Sequence, residues 1–376
     1  MAQPRRFELA MSPHVISNQT TRKIMFDVVI ALLPALAAAT WFFGPRALFI
    51  VIISSVTAVA AEYLCLKFMK RPVSFALDGS AIVTGMLLAY NLPAGVPMWL
   101  PIIGTAFAIV VGKQAFGGLG HNIVNPALLG RAFLVASFPV LMTAGWTAPE
   151  AWRYGDEGAY STSAITAEEM SVIPDADAIS GATPLNVLKQ TFDLDSSAES
   201  AIAEGDAEEA ESLMDRAASM RGALYSSSTY RNLLLGRRGG CLGETSVILL
   251  IVGGIYLVMR GVLELRLPIS YLGTVALFAW IFGGSGWFNG DPVFHVLSGG
   301  VVLGGIFMVS DMVTTPVTPK GRIIFGLGAG LITMVIRRWG GYPEGCSYSI
   351  LLMNLTTPLI DRYTKPKVFG EVKDNG

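Results

Sequence analysis

The sequence predicts an all-α integral membrane protein of about ten transmembrane helices, arranged as two five-helix halves. Three observations carry that reading. Of the 376 residues, 52% are hydrophobic and only 15% charged, and the mean hydropathy is +0.53. An average soluble domain has about a quarter of its residues charged, so lipid must solvate much of this chain. The charges are clustered, which leaves apolar runs such as 47–66 and 245–259 uninterrupted. Finally, Lys and Arg concentrate in alternate connections between the runs, as in a chain that crosses a bilayer repeatedly. The net charge of −1 gives no basis for nucleic-acid binding. Cys65, Cys241 and Cys346 show no CxxC spacing, so neither a metal site nor an iron–sulfur cluster held by this chain alone is expected.

Taken in order, residues 1–23 form a polar N-terminal segment with Arg5, Arg6, Arg22 and Lys23. It lacks an apolar stretch followed by a small-residue cleavage site, so no cleavable signal peptide is expected. The first membrane half, 24–146, holds candidate spans at 24–43, 47–68, 78–92, 99–111 and 128–146. A polar segment follows at 147–243. The second half, 244–360, holds candidate spans at 245–259, 267–282, 292–309, 323–336 and 346–360, before a tail at 361–376. Several spans fall short of the roughly 20 residues that cross a bilayer. Gly and Pro interrupt 78–101 and 291–319, as in broken or re-entrant helices buried within protein; tilted, kinked helices are the alternative.

Orientation follows from the basic residues. Lys67, Lys70, Arg71, Lys113, Arg260, Arg266, Lys320, Arg322, Arg362, Lys365 and Lys367 share one side with the N-terminal cluster. Placing that side in the cytoplasm leaves only Arg46, Arg337 and Arg338 in short outside connections. Both termini are then cytoplasmic, and 147–243 lies outside, where a long segment escapes the charge rule. With five spans on each side of that segment, the halves start from opposite faces. This is the layout of an inverted repeat, although internal similarity is weak and two unrelated halves is the alternative. Within 147–243, the acidic stretch 193–220 reads as an exposed helix or a mobile insert.

The sharpest local signal is Asp177-Ala-Ile-Ser180-Gly181-Ala182-Thr183-Pro184-Leu185. Taken alone, the simpler reading is that Thr183 caps a helix whose first residue is Pro184 and whose apolar face is Leu185, Val187 and Leu188. A helix start is equally an anion site, with free N–H groups at a positive dipole end. A phosphate esterified to Thr183 would sit there. Gly181 and Ala182 leave the approach open to a modifying enzyme, Ser180 can donate to phosphate oxygens, and Asp177 can hold a metal or the hydroxyl during transfer.

Asp-x-x-Ser-Gly-Ala-Thr resembles the motif at which a flavin transferase moves FMN from FAD onto a threonine hydroxyl. The surrounding chain is similar to the D subunits of Rnf complexes, ion-translocating ferredoxin:NAD+ oxidoreductases, and more distantly to the B subunits of sodium-pumping NADH:quinone reductases. Five further blocks carry the likeness in order: Asp78-Gly-Ser-Ala-Ile-Val-Thr-Gly85, Gly117 to Ala127 with Asn125-Pro126, Leu242-Gly-Glu-Thr-Ser246, Ser310 to Pro316, and Gly341 to Asn354. The resemblance implies a covalent FMN on Thr183 at the outer face and a second, non-covalent flavin (riboflavin) in the membrane part. It also implies a bacterial or archaeal cytoplasmic (inner) membrane. The implied partners are a flavin transferase and the iron–sulfur and second FMN-bearing subunits of the complex. The implied activity couples electron transfer from ferredoxin to NAD+ with Na+ or H+ movement. No function is carried onto the acidic insert after Phe192, which departs from the family pattern.

Other polar residues lie in or beside spans, where an ionisable group is a functional candidate by default. Asp78 and Asp291 each open a broken segment and are the candidates for an ion path. Glu62, Lys113, Asp311 and Glu344 are expected at the interface, and His121 and His295 as satisfied interior histidines. Gly117–Ala127 lacks the Lys-Ser/Thr of a phosphate loop, so it reads as a tight turn or a flavin-contacting loop. Cys241 and Cys346 both fall outside, as free thiols or as a disulfide. No residue is assigned a catalytic role, because in this reading the flavin does the chemistry. The rivals are a quinone-reductase B subunit and a flavin-free transporter or channel.

Overall fold

The computed structural model describes residues 19–143, 145–158, 162–170, 173, 182–342 and 344–365. Among them helices dominate, and the sole bridge of strand type joins Pro93 to Cys241. Each of the ten expected spans has a counterpart. In the first half these are α1 (Thr21–Phe43), α2 (Pro45–Phe68), α3 (Ser80–Tyr90), α4 (Trp99–Val110) and α5 (Pro126–Ser137). Short helices α6 (Pro139–Thr143), α7 (Ala151–Gly158) and α8 (Ala167–Met170) lead into the central segment, which folds as α9 (Pro184–Glu204), α10 (Ala207–Leu224) and α11 (Ser227–Leu235). The second half holds α12 (Val247–Met259), α13 (Arg266–Phe282), α14 (Pro292–Leu297) and α15 (Val301–Leu303), then α16 (Pro319–Trp339) and α17 (Cys346–Thr364). A π-helical turn, Gly304–Met308, prolongs α15.

Local chemistry sets these boundaries. Thr20, Asn125, Thr183, Ser246, Asp291 and Thr318 each cap a helix start through a side-chain oxygen. Pro follows the cap at Pro126, Pro184, Pro292 and Pro319, where its missing N–H costs nothing. The single span expected over 128–146 is corrected: it ends at Ser137, because Pro139 disfavours helical backbone at Phe138 and a separate short turn follows. In the interrupted stretch 291–319 the helix breaks at Ser298–Gly300, between α14 and α15. Among the described residues, four apolar segments are long enough to cross a bilayer by length and composition, namely α1, α2, Trp99–Phe116 and α16; α3, α5, α12 and α13 are shorter apolar helices.

The pairing of helices recurs between the halves. In the first, α2 packs on α3 and α4, α4 on α5, and α3 on α5. In the second, α13 packs on α14 and α16, α16 on α17, and the π-helical turn on α17. Across the halves, α1 lies against α12 and α5 against α17, first span to first and last to last. These pairings follow the order of an internal repeat, but the packing of α1 on α2 has no counterpart of similar extent between α12 and α13. Asn354 links equivalent turns: its Oδ1 accepts from Asn125 N at 3.0 Å and its Nδ2 donates to Thr314 O at 3.2 Å.

Span ends sort to two faces. On one, Arg260 donates twice to Asp27, Arg322 pairs with Glu264, and Arg71 reaches Gly117 O at 2.5 Å. On the other, Arg46 donates to the carbonyls of Ala94, Gly95 and Val96, and Lys189 to those of Gly340 and Gly341. The central segment stands on this second face with a core of its own. Leu185, Val187, Leu188, Met220 and Leu224 gather around Phe294 of α14. The stretch 193–220 therefore resolves as a helical hairpin, α9 and α10, turned at Gly205 (φ 87°) and capped by Asp206, with Ala198, Ala201, Ala210 and Ala217 buried between.

Candidate functional site

Thr183 stands at the N-cap of α9 with extended backbone (φ −73°, ψ 160°), and its Oγ1 accepts from Asn186 N at 3.4 Å. The apolar residues just beyond it hold the helix start in place: Leu185, Val187 and Leu188 are all buried. Ala182 packs against the same core. Asp177, Ser180 and Gly181 lie outside the described residues.

Thr183 lines a cavity of about 380 Å³. Three elements supply the remaining walls. α5 contributes Arg131 and Val135, α6 and the residues after it contribute Met142 and Trp146, and α17 with its approach contributes Tyr342, Glu344 and Tyr348. The two tyrosine rings stack, with centroids 5.7 Å apart and planes 29° apart. Trp146 brings a buried indole N–H with no hydrogen-bond partner. A buried donor left unpaired is costly, so it marks a place for an acceptor.

Arg131 is the cation of this cavity wall. Its Nη1 donates to Asn91 Oδ1 at 2.7 Å and to Ser347 Oγ at 3.0 Å, and its Nη2 pairs with Glu344 and lies 3.8 Å from Cys241 Sγ. Two further buried arginines lie behind it. Arg238 donates to the carbonyls of Glu244, Leu297 and Gly299, and Arg337 to those of Glu344, His295 and Ser298. These bonds absorb the carbonyls freed where α14 breaks from α15. A non-helical stretch within a membrane protein is tolerated on that condition. Cys241, Glu244 and Glu344 offer ligand atoms within 4.8 Å of one another, but Arg131 already occupies two of the three. Cys241 and Cys346 are both free, and Cys346 Sγ instead accepts from Tyr271 Oη at 3.1 Å.

The ion-path candidates fall at opposite faces. Asp78 accepts from Ser80 N at 2.7 Å and Ser80 Oγ at 2.5 Å, and Ser80 Oγ in turn accepts from Lys113 Nζ at 2.6 Å. Lys113 pairs with Glu62 at 2.7 Å, and Gln114 Nε2 donates to the same carboxylate at 2.7 Å. Glu62 and Lys113 are buried within the protein, at 2% and 1% exposed; their mutual pairing is what permits burial. Ser80, Lys113, Asn122, Asn125 and Asp311 line a smaller cavity of about 120 Å³, so Gly117–Ala127 is both a tight turn and a cavity wall. Asp291 instead caps α14 through Phe294 N at 2.8 Å and accepts from Tyr230 Oη at 2.5 Å. His121 is exposed, against the expectation of an interior position. His295 is interior, with Nε2 3.2 Å from Gly283 O and Nδ1 without a partner.

Sequence reasoning did not single out Trp146, Tyr342, Tyr348 or Asn91. The two tyrosines stand inside the block Gly341–Asn354, but only the packing of α17 on α5 and the bonds from Lys189 of α9 to the Gly340 and Gly341 carbonyls bring that block to the Thr183 cavity.

A family model described as NQR2, RnfD, RnfE matches residues 8–370. The chain is 41% identical over 367 residues, 97% of its length and 96% of the relative's, to the D subunit of the Na+-translocating ferredoxin:NAD+ oxidoreductase complex of Acetobacterium woodii. It is 42% identical over 365 residues, again 97% and 96%, to the D subunit of the proton-translocating ferredoxin:NAD+ oxidoreductase complex of Clostridium ljungdahlii. The D subunit of an ion-translocating oxidoreductase complex from Salmonella newport is 35% identical over 389 residues, 98% of this chain and 99% of the relative. On the strength of the full-length match, this chain belongs to the NQR2, RnfD, RnfE family.

Proposed function

We propose that this protein is the membrane flavoprotein subunit of an ion-translocating ferredoxin:NAD+ oxidoreductase complex, and that it carries FMN as a phosphoester on Thr183. The observation that carries the proposal is the position of the Thr183 hydroxyl, at a helix start and on the wall of a cavity of about 380 Å³, within the range of small-molecule sites.

The residues present fit the group. The α9 N-terminus supplies N–H donors and a positive dipole end for the phosphate. The unpaired Trp146 N–H is a donor for a ring carbonyl or nitrogen, and the stacked Tyr342–Tyr348 pair is an aromatic surface for a flat ring. Arg131 adds a cation fixed by four partners, suited to stabilising negative charge gained on reduction. The flavin, when bound, supplies the redox chemistry; the protein supplies position, charge and exclusion of water. The cavity of about 120 Å³ on the opposite face is the candidate place for part of a second, non-covalent flavin.

The chain works with the other subunits of its complex in a bacterial or archaeal cytoplasmic membrane, with both termini inside and Thr183 outside. The coupling ion does not follow from kinship, because relatives of 41% and 42% identity are named for Na+ and for H+ respectively. The test is flavin fluorescence on a denaturing gel: wild type made with its flavin transferase should give a fluorescent band, and Thr183→Val none.

A further inference from the structure

We propose that the groove between α1 and α2 at their Thr183-side ends binds one phospholipid, its acyl chain along α1 and its phosphate on Arg153.

The groove has a volume of about 440 Å³. One wall is a stripe of α1, Leu33, Leu36, Ala37, Thr40 and Trp41, spaced as one helix face. At 1.5 Å per residue the stripe is about 12 Å long, most of one leaflet of a hydrocarbon core roughly 30 Å thick. Pro45 and Leu48 of α2 form the facing wall. Leu33 and Leu48 are 47% and 36% exposed, so the groove opens sideways to lipid.

Its mouth is built, not incidental. α7 and the residue before it are tied to the end of α1 by Glu150 N donating to Phe42 O at 2.6 Å and Trp152 Nε1 donating to Trp41 O at 3.2 Å. Gly44, at φ +77°, makes room for this: a Cβ there would lie 2.8 Å from the Trp152 indole. Arg153 is stacked on both indoles, with its guanidinium carbon 4.0 Å from the Trp41 ring centroid and 4.6 Å from that of Trp152. Stacking fixes the plane of a guanidinium while leaving its N–H edge for paired bonds to a phosphate. Tryptophan and arginine at this depth suit the headgroup level. A cation at the mouth of a leaflet-long apolar groove selects an amphiphile with an anion at one end. A soluble anion would leave the groove unused, and a neutral chain would leave Arg153 unused.

The test is native mass spectrometry of the full-length protein extracted in mild detergent, followed by titration of delipidated protein with phosphatidylglycerol. Wild type should retain one phospholipid per chain, and Arg153→Gln should bind it at least roughly tenfold more weakly. Ala37→Phe, which fills the groove from an exposed position and leaves Arg153 in place, should lose it as well. Circular dichroism and elution profile should match wild type for both variants. Glycerol phosphate, which has the headgroup anion without a chain, should not compete. Equal retention by wild type and Arg153→Gln, no retention by wild type, or full displacement by glycerol phosphate would each overturn the proposal.

Discussion

Replacing Arg131 tests whether one ion pair joins the two membrane halves around the Thr183 cavity. Arg131 belongs to α5, while Ser347 and Glu344 lie beside or within α17, more than 200 residues further along the chain. The side chains of Arg131 and Glu344 are only 10% and 19% exposed. Arg131→Gln leaves the Glu344 carboxylate without its cation, and removing one partner of a buried pair costs ~3–5 kcal/mol. The bonds to Asn91 and Ser347 add ~0.5–1.5 kcal/mol each if a shorter side chain cannot reach them. Because Glu344 keeps some contact with solvent, the low end applies to each contribution, and we expect a loss of about 4 kcal/mol. Glu344→Gln in the Arg131→Gln background removes the stranded charge and should restore about 2 kcal/mol, a coupling typical of direct contact. Reversible unfolding in mixed detergent micelles measures both. A loss below about 1 kcal/mol for Arg131→Gln, or no recovery in the double variant, would refute the argument.

Two further outcomes follow. In a background without native cysteines, Ser196→Cys, on the exposed face of α9, should react with an impermeant thiol reagent added to intact cells, and Lys365→Cys should not; the reverse pattern would invert the assigned topology. In the central segment, burial raises the Glu169 carboxyl, but hydrogen bonds from Ser226, Ser228 and Thr166 outweigh it and hold the pKa below the ordinary value of 4.5. A depressed carboxylate contributes stability above that pH and loses it as pH falls through the folded-state value. Protection of α8 and α11 in hydrogen exchange should therefore drop in acid below about pH 4.5, and Ser228→Ala should flatten that dependence.

Much of this architecture is legible in the sequence, because lipid imposes a simple rule on apolar length and the caps sit at Pro-marked helix starts. Asn125-Pro126, Thr183-Pro184, Asp291-Pro292 and Thr318-Pro319 each announce a boundary that the fold obeys. The burial of Glu62 and Lys113 was not legible: each alone reads as a span-end charge, and only the packing of α2 against α4 brings them together. His121 failed for the opposite reason: Gly117, Gly118 and Gly120, all at positive φ, fold the chain so that Gly118 and Asn122 turn inward while Gly120 and His121 face out. At the site, Thr183 is identified by its motif. Arg131, Trp146, Tyr342 and Tyr348 come from three distant segments, and no local pattern links them.

Whether flavin is joined to Thr183 is decided by Thr183→Val. Valine keeps the branched shape but removes the one oxygen that could form the ester, whereas Thr183→Ser keeps both an oxygen and a competent cap. Loss of the cap costs about 1 kcal/mol, too little to prevent accumulation of a protein of this size in the membrane. Thr183→Val should accumulate but give no fluorescent band on a denaturing gel, while Thr183→Ser should keep part of the label. A Thr183→Val band as bright as wild type would place the attachment elsewhere. A wild-type protein that carries no flavin when made with its transferase would contradict the flavoprotein assignment itself.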